Sequence, residues 1–399
     1  MVNGYFKLVD YGGTLQYYIF ELANFSVLAF LVLVLYKFKV INSNSLVAWI
    51  GIFFSPLLIN YLVISPWMYG DQFEYAAEVM SLKSTGESIP SIASNTTLGV
   101  WNPVTLSVKI LGLTPLPNYM TVTSLAFANK FFLFLTFLWF KRFFNNENEV
   151  LLYFLIPSLI LYSSMGLRDT LIIVLSLVFI INVLRNRYIV PILLLYPLFY
   201  LKLQMSAFLS LYLVGRLLFR AHKNKYFFRF FLISGLAFGV IFNDLILEVL
   251  NLYRLAFVAE DFSFNGEISY AAFAKYGQEG RDAIFLSSLP VAILVAAYKL
   301  PELLLMPLPW NWSNIFYPLQ SLESCLLIYI YIKLATRQEL YKNYEFILLT
   351  FVLLIGLGIY ALLMSNEGTF VRYRFDLYYP FLLAAFYLSH RSEHATKNS

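Results

Sequence analysis

The sequence predicts an all-α polytopic membrane protein with about 12 transmembrane helices, in the range of about 11 to 13, and two larger loops on one side of the membrane. Of its 399 residues, 60% are hydrophobic and 13% are charged, and its mean hydropathy is +0.70. A soluble domain carries about 25% charged residues, so this composition excludes a soluble protein with one anchor. Apolar runs near the ~20 residues that cross a bilayer recur from end to end, so we expect residues 1–399 to form a single integral membrane domain.

The apolar runs place the predicted spans at residues 17–36, 45–64, 119–140, 149–164, 169–184, 188–201, 205–219, 230–247, 283–298, 314–332, 345–364 and 375–389. Charged residues, proline or asparagine close each run, as expected at the end of a membrane helix. A further stretch, PELLLMPLPW at residues 301–310, is too short to cross comfortably. We interpret it as a re-entrant or broken segment, which is tolerated only where protein or water covers its backbone.

Lysines and arginines indicate which side of the membrane is cytoplasmic. If the spans alternate, five basic groups share one side: Lys37 with Lys39, Lys141 with Arg142, Arg185 with Arg187, Arg216 through Arg229, and Lys333 through Lys342. By the positive-inside rule that side is the cytoplasm. The outer side then receives two long loops, residues 65–117 and 248–282, and several short turns.

The two long outer loops are where structure outside the membrane is expected. In the first, DQFEYAAEVMSL (residues 71–82) has one face with Phe73, Ala76, Ala77 and Met80 and another with Asp71, Glu74 and Glu78. This spacing predicts an interfacial amphipathic helix. The second loop mixes acidic and aromatic residues, which is typical of a lid or a binding loop.

Several function classes lack their motifs in this chain. The single cysteine, Cys325, cannot form an internal disulfide, and no CxxC or clustered histidine indicates a metal. No Walker loop, HExxH, GxSxG or Rossmann glycine pattern is present, so nucleotide-driven pumping and soluble-type hydrolysis lack support. We expect no cofactor, no metal and no nucleic-acid partner. The N-terminus lacks the build of a cleavable signal peptide, so the first apolar run is expected to be a retained span.

The stretch SSMGLRDTLI places Arg168 and Asp169 between two apolar runs that are short for membrane spans. The turn between them is therefore expected below the outer surface, in a cavity, where a charge indicates function. The alternative is an arginine that reaches the headgroups beside Asp169, which caps the following helix. Asp169 fits this alternative well, and Arg168 fits it less well. We therefore treat Arg168 as a candidate catalytic residue.

Asp71, in WMYGDQFEY, is the first acidic residue on the outer side after the second span. Its carboxylate could deprotonate an acceptor hydroxyl or orient a sugar, with Glu74 and Tyr75 one helical turn away. The alternative is that Asp71 only caps the amphipathic helix. We treat Asp71 as a candidate catalytic residue and the other two as candidate substrate-binding residues.

Further candidate binding residues lie near the outer ends of later spans. Arg372 and Arg374 flank Tyr373 at the mouth of the last span, and both arginines would share one face if the segment were extended. Arginine grips phosphate through paired donors, and the alternative is interfacial anchoring. Lys202 and Gln204 form an outer-facing polar turn.

Two charged residues fall inside predicted spans rather than at their ends. Lys130 and Glu323 lie near the middle of the third and tenth spans, and their matching depth suggests a pair. We favour a structural salt bridge over a functional role for them.

Arginines, carboxylates and aromatic rings on the outer side suit a substrate that combines phosphate, lipid and sugar. The chain contains 30 tyrosines and 39 phenylalanines, whose rings stack on sugars and line acyl channels. In order along the chain, YGDQFEY, SMGLRDTLI and VRYRFDLYYPFLL resemble the bacterial polysaccharide polymerases of the Wzy and EpsG type, within the wider GT-C-like glycosyltransferases. The match covers the acidic turn at Gly70, Asp71 and Tyr75 and the arginine turn at Arg168. It departs at residues 203–207, LQMSA, which lack the histidine of the third motif.

The resemblance implies a metal-independent glycosyltransferase that makes O-antigen or a related surface polysaccharide. Its substrate would be an undecaprenyl-diphosphate-linked repeat unit, joined at the periplasmic face of the bacterial inner membrane, with membrane lipid and a chain-length regulator protein as further partners. Arg168 with Arg372 or Arg374 would hold the diphosphate, and Asp71 would act as base or orient the acceptor.

Two other functions remain open from the residues. A glycosyltransferase that uses a polyprenyl-phosphate sugar and adds a single residue would also place an acid in its first large outer loop. A lipid-linked oligosaccharide flippase or other transporter would also need charged residues inside a helix bundle. Transporters commonly show two repeated halves, and the sequence shows no such symmetry.

Overall fold

The computed structural model of the chain describes residues 15–60, 72, 75, 78, 103–117, 121, 123–222, 243–251, 286–309, 316–363 and 367–397. These residues form helices and turns, and they contain no strand, which confirms the all-α class for this part of the chain. Three described helices are long and apolar enough to cross a membrane, at Ile19–Lys37, Ser124–Phe143 and Tyr344–Leu363.

The chain folds into two compact units. Unit 1 comprises Met1–Leu209 with His394–Ser399, and unit 2 comprises Ser210–Glu393. The named helices of unit 1 are α1 (Leu15–Lys37), α2 (Ser43–Leu58), α3 (Pro103–Gly112), α4 (Ser124–Phe140), α5 (Glu147–Phe154), α6 (Pro157–Ser163), α7 (Asp169–Leu184) and α8 (Ile189–Leu201). The boundary between the units falls within α9 (Leu203–His222).

Local side-chain contacts fix several helix starts in unit 1. The Asn42 side chain accepts from the Ser45 N–H at 2.8 Å and so caps α2, and the Asn146 side chain accepts from the Asn148 N–H at the start of α5. Thr121 and Ser124 exchange hydrogen bonds from N–H to hydroxyl before α4. Each contact satisfies an amide at a helix start that has no intrahelical partner.

The span predicted at residues 149–164 consists of two short helices. α5 ends at Phe154 and α6 begins at Pro157, with Ile156 in an extended conformation between them. Proline disfavours helical geometry in the residue before it and is well suited to the first helical position. Pro157 therefore breaks the helix, and neither half is long enough to cross a bilayer alone.

An aromatic cluster forms the core of unit 1 where α2, α4 and α5 meet. The buried Trp49 ring lies 4.9 Å from Phe134, 5.4 Å from Phe137 and 6.2 Å from Phe154, measured between centroids. These tilted and edge-to-face geometries are the favoured ones for aromatic pairs. The cluster fixes α4 against its neighbours, and α4 also packs on α3, α6 and α7.

Unit 2 contains α10 (Leu289–Leu305), α11 (Phe316–Ala335), α12 (Gln338–Tyr341), α13 (Tyr344–Leu363) and α14 (Glu367–Lys397). Residues 243–251 are also helical. Asn251 joins this helix to the chain before α10, because its side chain donates to Leu286 O and accepts from the Leu286 N–H. Leu247, Leu286, Ala292 and Leu362 form a small buried core nearby.

Two segments differ from the sequence-based prediction. Residues 301–305, PELLL, are not a separate re-entrant piece, because α10 continues through Pro301 to Leu305. The predicted first loop contains α3, an apolar helix that we did not predict. The second predicted loop, residues 248–282, lies outside the described residues except for its first four.

Residues 72, 75 and 78 are helical, as predicted for the amphipathic segment 71–82. Gln72 and Tyr75 are buried, at 1% and 3% exposure, and Glu78 accepts from the Thr105 hydroxyl of α3 at 2.8 Å. The described face of this segment therefore packs against unit 1. The four apolar residues of the predicted membrane-facing side lie outside the described residues.

Candidate functional site

The turn at residues 163–168, between α6 and α7, is held by side chains from several parts of unit 1. α6 has only seven residues, so most of its carbonyl oxygens have no partner within the helix. The turn that follows adds more main-chain oxygens in a buried environment, where each needs a donor. We call residues 163–168 the arginine turn.

α4 supplies donors to the arginine turn from two adjacent residues. Asn129 Nδ2 donates to Met165 O and to Leu167 O, both at 2.8 Å. Lys130 Nζ donates to Ile160 O at 2.9 Å and to Ser163 Oγ at 2.8 Å. Both side chains are fully buried. α4 therefore caps the end of α6 and fixes the path of the chain after it.

α2 and the residues directly after it hold the same turn through Ser55 and Asn60. Asn60 Nδ2 donates to Ser164 O at 2.7 Å, and the hydroxyls of Ser55 and Ser164 are 2.8 Å apart. All three residues are buried. The arginine turn is thus tied to two helices besides its own, and its geometry is set by hydrogen bonds rather than by apolar packing alone.

Gln72, from the first predicted loop, also contacts the arginine turn. The Gly166 N–H donates to Gln72 Oε1 at 3.2 Å, and Gln72 is 1% exposed. Gln72 belongs to YGDQFEY, and Gly166 belongs to SMGLRDTLI. Two motifs that are about ninety residues apart in sequence are therefore in direct contact.

The chain matches no protein-family model, no curated protein and no solved structure.

Arg168 ends the arginine turn and precedes α7. Its side chain is partly buried, and its guanidinium has no hydrogen bond or ion pair among the residues that the structure describes. A partly buried arginine normally has its donors satisfied, because an unmatched charge is costly away from water. Hydrogen bonds hold the preceding residues of the turn in place, so the main chain at Arg168 has a defined position. The Arg168 guanidinium carries five N–H donors.

Asp169 is the first residue of α7 rather than the residue that caps it. The N-cap position is occupied by Arg168, and its side chain makes no capping hydrogen bond. Asp169 is 1% exposed and lies in the first turn, where a carboxylate interacts favourably with the helix dipole. The sequence-based assignment of Asp169 to the cap is therefore one position away from the structure.

The other predicted site residues of unit 1 fall in different environments. Tyr75 is buried and helical, whereas Asp71 and Glu74 lie outside the described residues. Lys202 is an extended residue between α8 and α9 and is 5% exposed, so the predicted outer-facing turn is largely covered at this position. Gln204 is partly exposed in the first turn of α9.

Arg374, in unit 2, caps the C-terminal end of α10. Its Nη1 donates to Leu303 O at 2.8 Å, to Leu304 O at 2.7 Å and to Met306 O at 3.1 Å, and its Nη2 donates to Ser324 Oγ at 2.8 Å. The last carbonyls of a helix lack intrahelical donors, and a cation is favoured there by the helix dipole. The structure thus gives Arg374 a clear architectural role.

Arg372 and Tyr373 lie on α14 beside Arg374 and are partly exposed. Because this segment is helical, the two arginines are about 200° apart around the axis and do not share a face. The shared face depended on an extended segment, so Arg372 alone stays the candidate ligand for phosphate. The Tyr373 ring lies 5.8 Å from the Tyr360 ring.

Sequence reasoning missed the residues that hold the arginine turn. Asn129, Asn60 and Gln72 are each buried and polar. For Asn129 and Asn60, the signal that could have found them is an amide side chain in an otherwise apolar run. Gln72 lies among acidic residues and gives no such signal. Lys130, which we predicted to pair with Glu323, donates to a carbonyl and a hydroxyl of unit 1. Within the described ranges, no three His, Cys, Asp or Glu side chains are grouped as a metal site would require.

Proposed function

We propose that the chain is a glycosyltransferase that polymerises undecaprenyl-diphosphate-linked oligosaccharide repeat units into O-antigen or a related surface polysaccharide. It acts as a multi-pass protein of the bacterial inner membrane, with about 12 spans and its site on the periplasmic face. The reaction requires no metal and no cofactor.

The contact between Gln72 and Gly166 is the observation that carries the proposal. It joins the acidic motif YGDQFEY to the arginine motif SMGLRDTLI, and these are the two motifs that resemble the polysaccharide polymerases. Glycosyl transfer from a diphosphate needs a cation near the leaving group and a group that orients or deprotonates the acceptor. A direct contact between the two motifs supports a shared site for these two tasks.

Arg168 binds the diphosphate in this mechanism. The acceptor hydroxyl attacks the anomeric carbon of the donor, the bond from that carbon to the diphosphate oxygen breaks, and undecaprenyl diphosphate leaves with the bonding electrons. Negative charge builds on the bridging oxygen, and the Arg168 guanidinium, which has no partner among the described residues, stabilises it from a fixed turn without reorganisation. The acceptor proton passes to the Asp71 carboxylate. Arg372 is the candidate for a second contact with phosphate.

The length of α7 supports a recessed position for Arg168. Its 16 residues rise about 24 Å, which is shorter than the ~30 Å hydrocarbon core. If Arg185 and Arg187 lie at the cytoplasmic boundary, Arg168 lies several Å inside the outer boundary. A charge at that depth requires water or an anionic substrate around it.

The test is chain elongation by the purified protein supplied with lipid-linked repeat units, without nucleotide or metal. We expect a ladder of products. Arg168→Ala should lower the elongation rate by about 100-fold or more, as loss of a charge-stabilising donor does. Arg168→Lys should retain part of the elongation rate, because lysine keeps the positive charge but lacks the paired N–H donors of a guanidinium.

Arg187→Ala is the matched control, because Arg187 is exposed just beyond the other end of α7. It should elongate at the unmutated rate. If the product carried only one added sugar, from a polyprenyl-phosphate donor, the protein would be a single-addition transferase and not a polymerase. Transport of the intact lipid-linked unit without any new bond would favour a flippase. Full elongation by the Arg168→Ala protein would remove Arg168 from the mechanism.

A further inference from the structure

The side chain of Asn129 makes both of its hydrogen bonds to the arginine turn. Its amide nitrogen lies 2.8 Å from Met165 O and 2.8 Å from Leu167 O. Leu167 is the residue directly before Arg168. Both acceptors are carbonyl oxygens, so the amide must present its nitrogen to them. A single side chain therefore fixes the main chain on the near side of Arg168.

Asn129 supplies donors to two main-chain oxygens of the turn and leaves one oxygen of its own without a partner among the described residues. Its Oδ1 is buried and has no hydrogen-bond partner among the described residues. A buried oxygen without a donor costs about as much as one or two hydrogen bonds contribute, so the net gain in stability is small. An apolar residue on α4 would avoid that cost but would leave Met165 O and Leu167 O without donors. Asn129 therefore both satisfies these two oxygens and sets the geometry of the turn that carries them.

We propose that Asn129 is a positioning residue for Arg168. It holds the main chain of the arginine turn so that the Arg168 guanidinium is directed to one place before the substrate binds. The catalytic consequence rests on the proposed function, whereas the effect on the turn itself does not. A guanidinium fixed in advance stabilises a developing charge better than one that must first be ordered. Asn129 lies outside all three motifs that carry the family resemblance.

The first measurement reports on the turn without any assay of activity. A chain with Arg168→Cys and Cys325→Ser presents one thiol, which a water-soluble maleimide modifies at a rate set by the order of the turn. Adding Asn129→Leu should raise that rate about tenfold, because two hydrogen bonds that close the turn are lost. Asn129→Ser, which keeps one donor, should give an intermediate rate.

Thr136→Val is the matched control on the same helix. Thr136 is also buried, and its hydroxyl donates only to Phe132 O within α4. It should change the labelling rate by less than about twofold, as expected for a site with no contact to the turn. Equal labelling in the Asn129→Leu and Thr136→Val chains would overturn the assignment.

The second measurement is a double-mutant cycle on the elongation rate. Asn129→Leu should lower the rate about tenfold in the chain with Arg168, and less than about twofold in the chain with Arg168→Ala, which has no charged side chain to position. A merely structural residue would lower both rates by the same factor, and that result would overturn the positioning role. If the unmutated protein fails to elongate but Asn129→Leu still speeds labelling, the proposed function fails and the positioning of residue 168 by Asn129 stands.

Discussion

Arg216 Nη1 lies 2.5 Å from Glu345 Oε1, and the Arg216 side chain is only 2% exposed. The pair joins α9 to the first turn of α13. Tyr344 completes the network, because its hydroxyl accepts from Arg216 Nη1 at 3.1 Å and donates to Glu345 Oε1 at 3.2 Å. Its ring also stacks on Phe219 at 4.0 Å. A buried ion pair of this kind is costly to break and holds the two helices in a single register.

We predict that Glu345→Gln destabilises unit 2 strongly, because it leaves the Arg216 charge buried without its partner. Removing one partner of a buried pair costs about 3–5 kcal/mol. The measurement is thermal unfolding of the purified protein in one detergent. The double variant Arg216→Met with Glu345→Leu should recover part of the loss, since no charge then remains buried.

Arg391→Ala is the control for this pair. Its Nη1 is 4.0 Å from Glu345 Oε2, and its side chain is 53% exposed, so it should cost no more than about 1 kcal/mol. Equal destabilisation by Arg391→Ala and Glu345→Gln would show that burial does not decide the strength of these contacts.

We predict opposite results for two arginines near predicted outer ends of spans. Arg374→Ala should lower the unfolding temperature, because it removes four hydrogen bonds from the end of α10. Bonds from a charged donor contribute about 1.5–3 kcal/mol each, and their sum is an upper limit because neighbouring bonds are not independent. Arg168→Ala should leave the unfolding temperature within error, since its guanidinium has no partner within the described structure.

If Arg168→Ala unfolded as early as Arg374→Ala, Arg168 would be a structural residue, and the functional argument for it would lose its basis. The unfolding temperatures of these two variants therefore distinguish an arginine that stabilises the fold from one that binds a ligand.

Two glycines should respond in opposite ways to a larger side chain. A Cβ atom at Gly215 of α9 would lie 2.9 Å from Leu348 Cδ1, whereas nothing lies within 4 Å of one at Gly51 of α2. We expect Gly215→Val to destabilise the protein by about 1–3 kcal/mol through overpacking. Gly51→Ala should stabilise it by about 0.5–1 kcal/mol, because glycine is unfavourable within a helix. Unfolding in denaturant checks both, and a stabilising Gly215→Val would contradict the close packing of α9 on α13.

The predicted orientation can be tested with single cysteines in a Cys325→Ser chain. A membrane-impermeant maleimide added to intact spheroplasts should label Gln204→Cys, which is predicted to face the periplasm. Arg187→Cys should be labelled only after the membrane is opened, since the positive-inside rule places it in the cytoplasm. Both positions are at least partly exposed, so access does not depend on unfolding. The reverse pattern would invert the topology and place Arg168 in the cytoplasm.

Hydrophobic runs closed by charges were enough to locate several helices. α7 was predicted at residues 169–184 and is Asp169–Leu184, and α13 was predicted at 345–364 and is Tyr344–Leu363. In both cases charged residues mark an end of the run. The apolar run continues across Pro157, so the length of the run does not show the break, which only the proline marks.

The contacts of the candidate site could not be predicted in the same way. Arg168 was found because it is a lone cation in an apolar stretch, and the structure adds that its surroundings are held in place. Asn129 and Gln72 hold the arginine turn through bonds to main-chain atoms that are distant from them in sequence. No pattern of side chains in the sequence predicts such a pairing. Arg374 was predicted to bind phosphate because arginine suits phosphate and lies at the predicted mouth of the last span, and nothing in the sequence indicates that it bonds to the end of α10.

The amide side chains that bond to the arginine turn determine which mutations the turn tolerates. Asn129 and Asn60 bond to carbonyl oxygens of the turn, and Gln72 bonds to an amide of the turn, so none of them recognises the side chains at those positions. Conservative exchanges at Met165 or Leu167 would keep every one of these bonds. The main-chain path of the turn therefore depends on three amide side chains that are distant from it in sequence. Within the turn, the side chains of Ser163 and Ser164 take part in its contacts, through Lys130 and Ser55, whereas Met165 and Leu167 are held only through main-chain oxygens.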